Sequence, residues 1–437
     1  MTRPRVLLIS LDPVDERMAG AAIRSWELAH VLSAHAEVTL ATVRLGRISS
    51  AEVHLIEFEA HAPDALRPHV MAADVIVAQP QWPVIAGWMH RSGARVVYDL
   101  YDPETLETLE LFAGTWPARR RLMVAFTLDR LHDALRGGHH FVCASEKQRD
   151  LWLGAMYAGR LIDPDAYDRD PSFRSVIDVV PFGLPGTPPR REAVGAIRAA
   201  IPEIGGGAEI VLWNGGTWPW LDPVGAVEAF ALLAARRPGA RLVFMGAGGH
   251  PAAQGAAGEA RRAAREAGLL DRSVFFNERW VPYAERAGWL LDAACAVATH
   301  REHLETRFAF RTRLLDCFWA GLPIVCTAGD ELAARVGRDG LGETVAPGDV
   351  EGLARALERV LDRGRHSYAA PLAAVAAEFA WPRAAAPLAA FATAVTPPPS
   401  PLGKHAPGRT PGHRARSLAY RALRPGLALA QRRAGRR

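Results

Sequence analysis

The chain has 437 residues, 49% hydrophobic and 23% charged. That is the composition of a soluble globular protein, and the length calls for two α/β domains rather than a single core. Its net charge of +5 is local: residues 396–437 hold ten Lys and Arg and no acid, which leaves −5 for the rest and excludes a basic body that grips nucleic acid.

The four cysteines, Cys143, Cys295, Cys317 and Cys326, form no CxxC pair and sit in or beside apolar runs. Buried free thiols and a reducing, cytoplasmic setting are expected. The first apolar run, 5–11, is too short for a signal peptide, and no run approaches the roughly 18 apolar residues of a membrane span.

Residues 5–11 are rich in Val, Leu and Ile, the pattern of a buried parallel strand. A loop with Gly20 leads into a helix from Ala21, with Ile23, Trp26, Leu28, Val31 and Leu32 at helical spacing. Gly20 either lets a phosphate approach the helix N-terminus or simply caps it. Strands are predicted at 38–43, 74–78, 95–100, 140–144 and 176–180. The acids of residues 99–107 sit at a strand's C-terminal end. Asp102 there is a candidate for acceptor contact or catalysis, or one of several helix-capping acids.

A Pro/Gly cluster at 181–190 marks the domain boundary. A second strand–helix series follows, with strands at 210–213, 241–245, 274–276, 295–299, 322–326 and 343–345, and helices at 224–235, 256–267 and 309–320. Alanine-rich helices are expected at 351–363 and 371–393. The remainder, 396–437, reads as a flexible basic tail whose stretch 401–437 contacts an anionic membrane or is merely solvated.

The stretch 300–327 gathers the most functional groups. Glu302, Glu305 and Asp316 supply carboxylates, and Arg307, Arg311 and Arg313 supply charge, around a strand end and a helix start.

Local motifs carry a resemblance over residues 5–395. They are the first strand, Gly-loop and helix; Val-Val-Pro-Phe-Gly-Leu at 179–184; Leu-Val-Phe-Met-Gly-Ala-Gly at 242–248; Trp-Ala-Gly-Leu-Pro-Ile-Val at 319–325; and Phe-Ala-Trp at 379–381. In this order they resemble glycosyltransferase family 4, the group 1 sugar transferases of the GT-B fold, as a divergent branch. The resemblance implies an α/β protein of two doubly wound, Rossmann-like domains facing a central cleft. Residues 1–183 would form the acceptor-side domain and 184–375 the nucleotide-sugar donor domain, with 376–395 a helix crossing back to the first.

It further implies transfer of a sugar from a nucleotide-sugar donor to a glycan, lipid-linked or small-molecule acceptor, with retention, no metal and no other cofactor. The family's two glutamates fall on Phe308 and Asp316. Its Arg and Lys after the first strand of the second domain are absent, and its first-domain His-Asp pair appears as Tyr101-Asp102.

In place of the absent Arg and Lys, Arg311 and Arg313 are expected to take the donor diphosphate, as guanidinium groups do, or to pair with Asp316 or Glu305. Gly215 and Gly216 would present backbone N–H groups, or form a tight turn. Asp316 is expected on the ribose, Glu305 on the donor sugar, and Asp102 on the acceptor hydroxyl. His300 would line the same strand end, Trp218 would stack on sugar or base or pack at an interface, and the stretch with Val281 would read the base. Two other readings share this architecture: a UDP-sugar 2-epimerase, and a non-catalytic sugar-nucleotide-binding subunit.

Overall fold

The computed structural model describes residues 3–162, 164–190, 195–246 and 254–394. The expected basic tail lies outside the described residues, as do the last two positions of the 242–248 motif. Two compact units are formed. Among the described residues the first takes the chain up to Thr108, from Thr115 to Pro181, and Ala385 to Ala394; the second takes Leu109–Gly114 and those of Phe182–Ala384.

The first unit is built on seven parallel strands: β1 (Arg5–Ser10), β2 (Glu37–Thr42), β3 (Val53–Glu57), β4 (Val75–Ala78), β5 (Arg95–Asp99), β6 (His140–Cys143) and β7 (Ile177–Val179), in the order β3-β2-β1-β4-β5-β6-β7. From Val6 onward β1 is buried, flanked by β2 (Val6 opposite Val38) and β4 (Val6 opposite Val75). Burial on both faces is why its sequence is unbroken Val, Leu and Ile. β3 was not expected from sequence. It is an edge strand, Val-His-Leu-Ile-Glu, half exposed and without a continuous apolar run.

The second unit holds six parallel strands: β8 (Glu209–Gly216), β9 (Ala240–Gly246), β10 (Val274–Phe276), β11 (Cys295–Ala298), β12 (Ile324–Thr327) and β13 (Gly342–Val345), ordered β10-β9-β8-β11-β12-β13. In both sheets the strand order reverses beside the first strand, between β1 and β4 and between β8 and β11. Open α/β sheets bind ligands beyond the strand C-termini at such points.

Three helices of this unit start on an aspartate whose carboxylate accepts from backbone N–H: Asp222 from Gly225, Asp330 from Leu332 and Ala333, and Asp349 from Gly352. Two of the motifs that carried the resemblance pack together here. Leu184 pairs with residues 379–381 through Leu184 N–H to Phe379 O (2.7 Å) and Trp381 N–H to Leu184 O (3.0 Å). Gly183 lies against the Trp381 ring so closely that a Cβ would come within 2.4 Å of it.

The predicted 371–393 helix is three pieces, Ala369–Glu378, Trp381–Ala384 and Ala386–Thr393. Pro382 and Pro387 explain the breaks, since each can only open a helix. The last piece belongs to the first unit. There Arg95 donates to the carbonyls of Phe391 (2.9 Å) and Ala392 (3.0 Å), and the His140 ring stacks on Phe391. All four cysteines are free and buried, and burial pushes the thiols of Cys143, Cys295 and Cys326 up to about 12. Among the described residues no helix is long and apolar enough to cross a membrane.

Candidate functional site

At the switch point of the second unit β8 ends in Asn214-Gly215-Gly216. Gly215 has φ +118°, a conformation glycine takes without strain. The backbones are also crowded: a Cβ on Gly246 would lie 3.0 Å from the carbonyl of Gly215.

Over this bare turn lies Arg313. Its Nη2 donates to Gly216 O (3.1 Å), its guanidinium faces the Trp213 ring at 5.4 Å, and its Nη1 is buried with no partner. Asn214 Nδ2 donates to the carbonyl of Arg313 (2.8 Å) and ties the helix start to the turn. Burial, then the charge of Arg311, lower the Arg313 value to about 10. The residue is half-buried, but a buried guanidinium nitrogen left without an acceptor is costly unless something anionic completes it.

His300 stands beside it at the end of β11. It is buried, its Nδ1 has no partner, and burial followed by Arg311, Arg313 and His303 holds it well below the ordinary histidine range. The ring is therefore neutral at pH 7. Trp218 and Trp220 stack on each other with centroids 5.3 Å apart, and Trp218 Nε1 is 3.2 Å from where a Gly216 Cβ would stand. Gly215, Gly216, Trp218, His300 and Arg313 thus share one strand-end corner.

The rest of the expected donor set is placed differently. Arg311 acts on His300 and Arg313 through its charge, and its guanidinium is held by Asp330. It is 5% exposed, its Nε lies 2.8 Å from Asp330 Oδ2, and its Nη1 donates to Thr327 O. This is a buried ion pair with Asp330 rather than a solvated-face pair with Asp316 or Glu305, and Nη2 is buried without a partner. The predicted 309–320 helix is found shortened to Thr312–Trp319, with a separate short helix Leu304–Phe308 before it. Ala309 is extended (ψ 142°), so the chain turns Arg311 inward.

Asp316 is half-buried and its Oδ1 accepts from Arg286 Nε (3.1 Å). That arginine lies 3.6 Å over the Tyr283 ring and 4.7 Å over the Trp319 ring. Glu305 is buried, with Oε2 3.6 Å from His303 Nδ1. His303 Nδ1 also accepts from Thr306 N–H, so its Nε2 carries the proton toward Trp220 O (3.0 Å). Val281 is half-buried in the segment after β10, whose turn is pinned by Asn277 Nδ2 on the carbonyls of Met245 and Arg279. A groove of about 770 Å³ lined by Pro185, Pro189, Leu291, Trp319, Gly321 and Ala373 lies toward the N-terminal ends of β11 and β12, away from this corner.

In the first unit, the ends of β1 and β5 bring together Gly20, Tyr101 and Asp102. A Cβ on Gly20 would stand 3.8 Å from Tyr101 Oη. Asp102 is half-buried. Burial, with Glu104, Asp12 and Asp99 nearby and a hydrogen bond with Glu107 acting the other way, raises its carboxyl to about 7. Gln148 Nε2 holds the carbonyl of Tyr101 at 2.7 Å.

Residues 210–363 match the family model for glycosyl transferases group 1. That match lies within the second unit, and the fold of the chain is that of GT-B proteins. Among solved structures it is similar to WaaG, a glycosyltransferase involved in lipopolysaccharide biosynthesis (TM-score 0.59, 17% identity, 89% of this chain and 99% of that one). It is also similar to HepE of Anabaena in complex with UDP-glucose (0.59, 13%, 89% and 97%) and to sucrose-phosphate synthase of Thermosynechococcus elongatus (0.54, 18%, 99% and 99%). No curated protein matches it in sequence.

Three residues that the sequence did not point to shape these two corners. Arg24 sits on the buried side of helix Gly20–Ser33. It is clamped to Asp99 (2.6 and 3.0 Å) and to the carbonyls of Val180 and Pro181. An arginine among Ala22, Leu28 and Leu32 on the buried side was the available signal. Asp330, directly before a helix, reads as a cap, and nothing local announces its pairing with Arg311. Arg286 gave no signal at all.

Proposed function

We propose that this chain transfers a sugar from a nucleotide-sugar donor, with the donor's diphosphate seated in the second unit on Gly215, Gly216 and Arg313. The observation that carries this reading is the buried, unpartnered Nη1 of Arg313 beside a glycine turn whose backbone is bare. A leaving diphosphate gains negative charge as the glycosidic bond breaks. A donor held in place beforehand and desolvated stabilises that charge without reorganisation. The binding of UDP-glucose by HepE, which shares the fold, is consistent with such a donor.

Neutral His300 is suited to hydrogen-bond the sugar or phosphate, because it adds no charge of its own. Arg313 does the electrostatic work a divalent cation would otherwise do, so the reaction is metal-independent in this reading. Transfer proceeds with retention to a glycan, lipid-linked or small-molecule acceptor, whose hydroxyl Asp102 orients.

The test is a transfer assay with UDP, GDP, dTDP and ADP sugars, with and without EDTA, resolving the product anomer by NMR. The expected result is nucleoside diphosphate release matched by a retained glycosidic product and unaffected by EDTA. Epimerised sugar in place of a glycoside, or an inverted product, would overturn the reading.

A further inference from the structure

Asn214 lies near the end of β8, is 4% exposed, and has a side chain that the fold uses only by half. Its Nδ2 donates to the carbonyl of Arg313 (2.8 Å), while its Oδ1 is buried and has no partner. That bond fixes which way the amide faces, because a flipped amide would set Oδ1 against a carbonyl oxygen. Asn214 therefore holds a desolvated acceptor at the same corner as Arg313.

β11 is the strand next to β8, and just past its end His300, 3% exposed, holds a second buried atom without a partner, Nδ1. The His300 backbone is fixed: its N–H donates to Thr327 Oγ1 (3.0 Å), and the residue bridges to Leu221. Burial and the charges of Arg311 and Arg313 keep the ring neutral, and Nδ1 of a neutral ring can carry the proton.

A diphosphate suits only part of this corner. Phosphate oxygens accept hydrogen bonds, so they complete Arg313 Nη1 but would meet Asn214 Oδ1 acceptor to acceptor. Asn214 calls for a hydrogen-bond donor close to the diphosphate. In a nucleotide sugar that group is the hydroxyl on C2, one carbon from the carbon that bears the phosphate.

We propose, resting on the diphosphate seat described above, that Asn214 Oδ1 and His300 Nδ1 hold the C2 hydroxyl of the donor sugar and select sugars that carry it. The hydroxyl donates to Asn214 and accepts from His300 Nδ1–H. A sugar without that proton leaves the buried amide oxygen unpaired, and sites built to bond a substrate hydroxyl reject analogues that lack it.

The test is calorimetric titration of the full chain with UDP-glucose and its 2-deoxy-2-fluoro analogue, with GDP-mannose and its 2-deoxy-2-fluoro analogue, and with UDP and GDP as sugar-free references. Fluorine fills the place of the hydroxyl but has no proton to give. The wild type should bind the better hydroxyl donor at least about tenfold more tightly than its fluoro analogue. Asn214→Ala and His300→Ala should each cut that ratio to about threefold or less, a change that lost folding stability alone does not produce.

The wild-type comparison needs no variant, so it decides even where a substitution harms folding. Equal affinity for a hydroxyl donor and its fluoro analogue, or a ratio unchanged in either variant, would overturn the proposal and leave the diphosphate seat standing. No binding of UDP, GDP or either sugar would overturn the seat itself, and the proposal with it.

Discussion

Replacing Arg313 with methionine separates a ligand-binding arginine from a structural one. The side chain ordinarily titrates at 12.5, and burial with Arg311 nearby brings it to about 10. Keeping it charged in the folded chain therefore costs about 3 kcal/mol. For a base whose folded value is lowered, that penalty is present in full below about 10, hence at neutral pH, and disappears only as the unfolded chain also loses its proton.

Methionine removes the penalty and keeps the apolar stem. It loses the bond to Gly216 O and the contact with Trp213, together about 1–2 kcal/mol. The net expectation is a free protein more stable by about 1–2 kcal/mol, a rise of about 2–6 °C in Tm by differential scanning fluorimetry. Turnover should fall by about 10²–10³, the loss typical of one preorganised donor. A variant that melts several degrees lower while keeping its turnover would refute the reasoning and make Arg313 structural.

The neighbouring Arg311 should behave in the opposite way. Arg311→Met strands Asp330 in the interior and should lower stability by about 3–5 kcal/mol in urea titrations, with Arg311→Met/Asp330→Asn recovering much of it. Arg24→Met should show a loss of similar size, because Asp99 and two carbonyls lose their donor. Gly215→Ala, forced into φ +118°, should destabilise by about 1–3 kcal/mol and weaken nucleotide binding in calorimetry.

The carboxyl of Asp102, raised to about 7, predicts a kcat/KM that climbs through that pH and flattens in Asp102→Asn. The sign for stability follows from the same shift. Between 3.8 and about 7 the folded chain keeps a proton the unfolded chain has lost, so stability falls across that window and the full penalty stands above it, where Asp102→Asn should be the more stable form. An identical pH–rate profile in the variant would remove Asp102 from the reaction.

The strands were legible because each buried parallel strand is a short unbroken apolar run. Val274–Phe276 is found as expected, and most others shift by one to three residues. β3 was not legible, because an edge strand with one wet face carries no such run. Residues 300–327 were legible as charged groups gathered at a strand end and a helix start, but not in their contacts. Sequence spacing puts Arg311 and Arg313 on neighbouring positions of one helix. The extended Ala309 and the arginine at the helix cap send one guanidinium inward to Asp330 and the other over Gly216. Which arginine is held by an acid depends on the helix cap Asp330 further along the chain, and no local pattern encodes that.

The central claim is that Arg313 and the glycine turn of the second unit form the donor site. The direct measurement is a thermal-shift panel of UDP, GDP, dTDP and ADP sugars on the wild type and Arg313→Met. A ligand at about 100 times its Kd adds about 2.7 kcal/mol. We expect at least one nucleotide sugar to raise the wild-type melting temperature by several degrees and to leave Arg313→Met unmoved. No shift with any nucleotide sugar, or a shift that survives in Arg313→Met, would contradict the account.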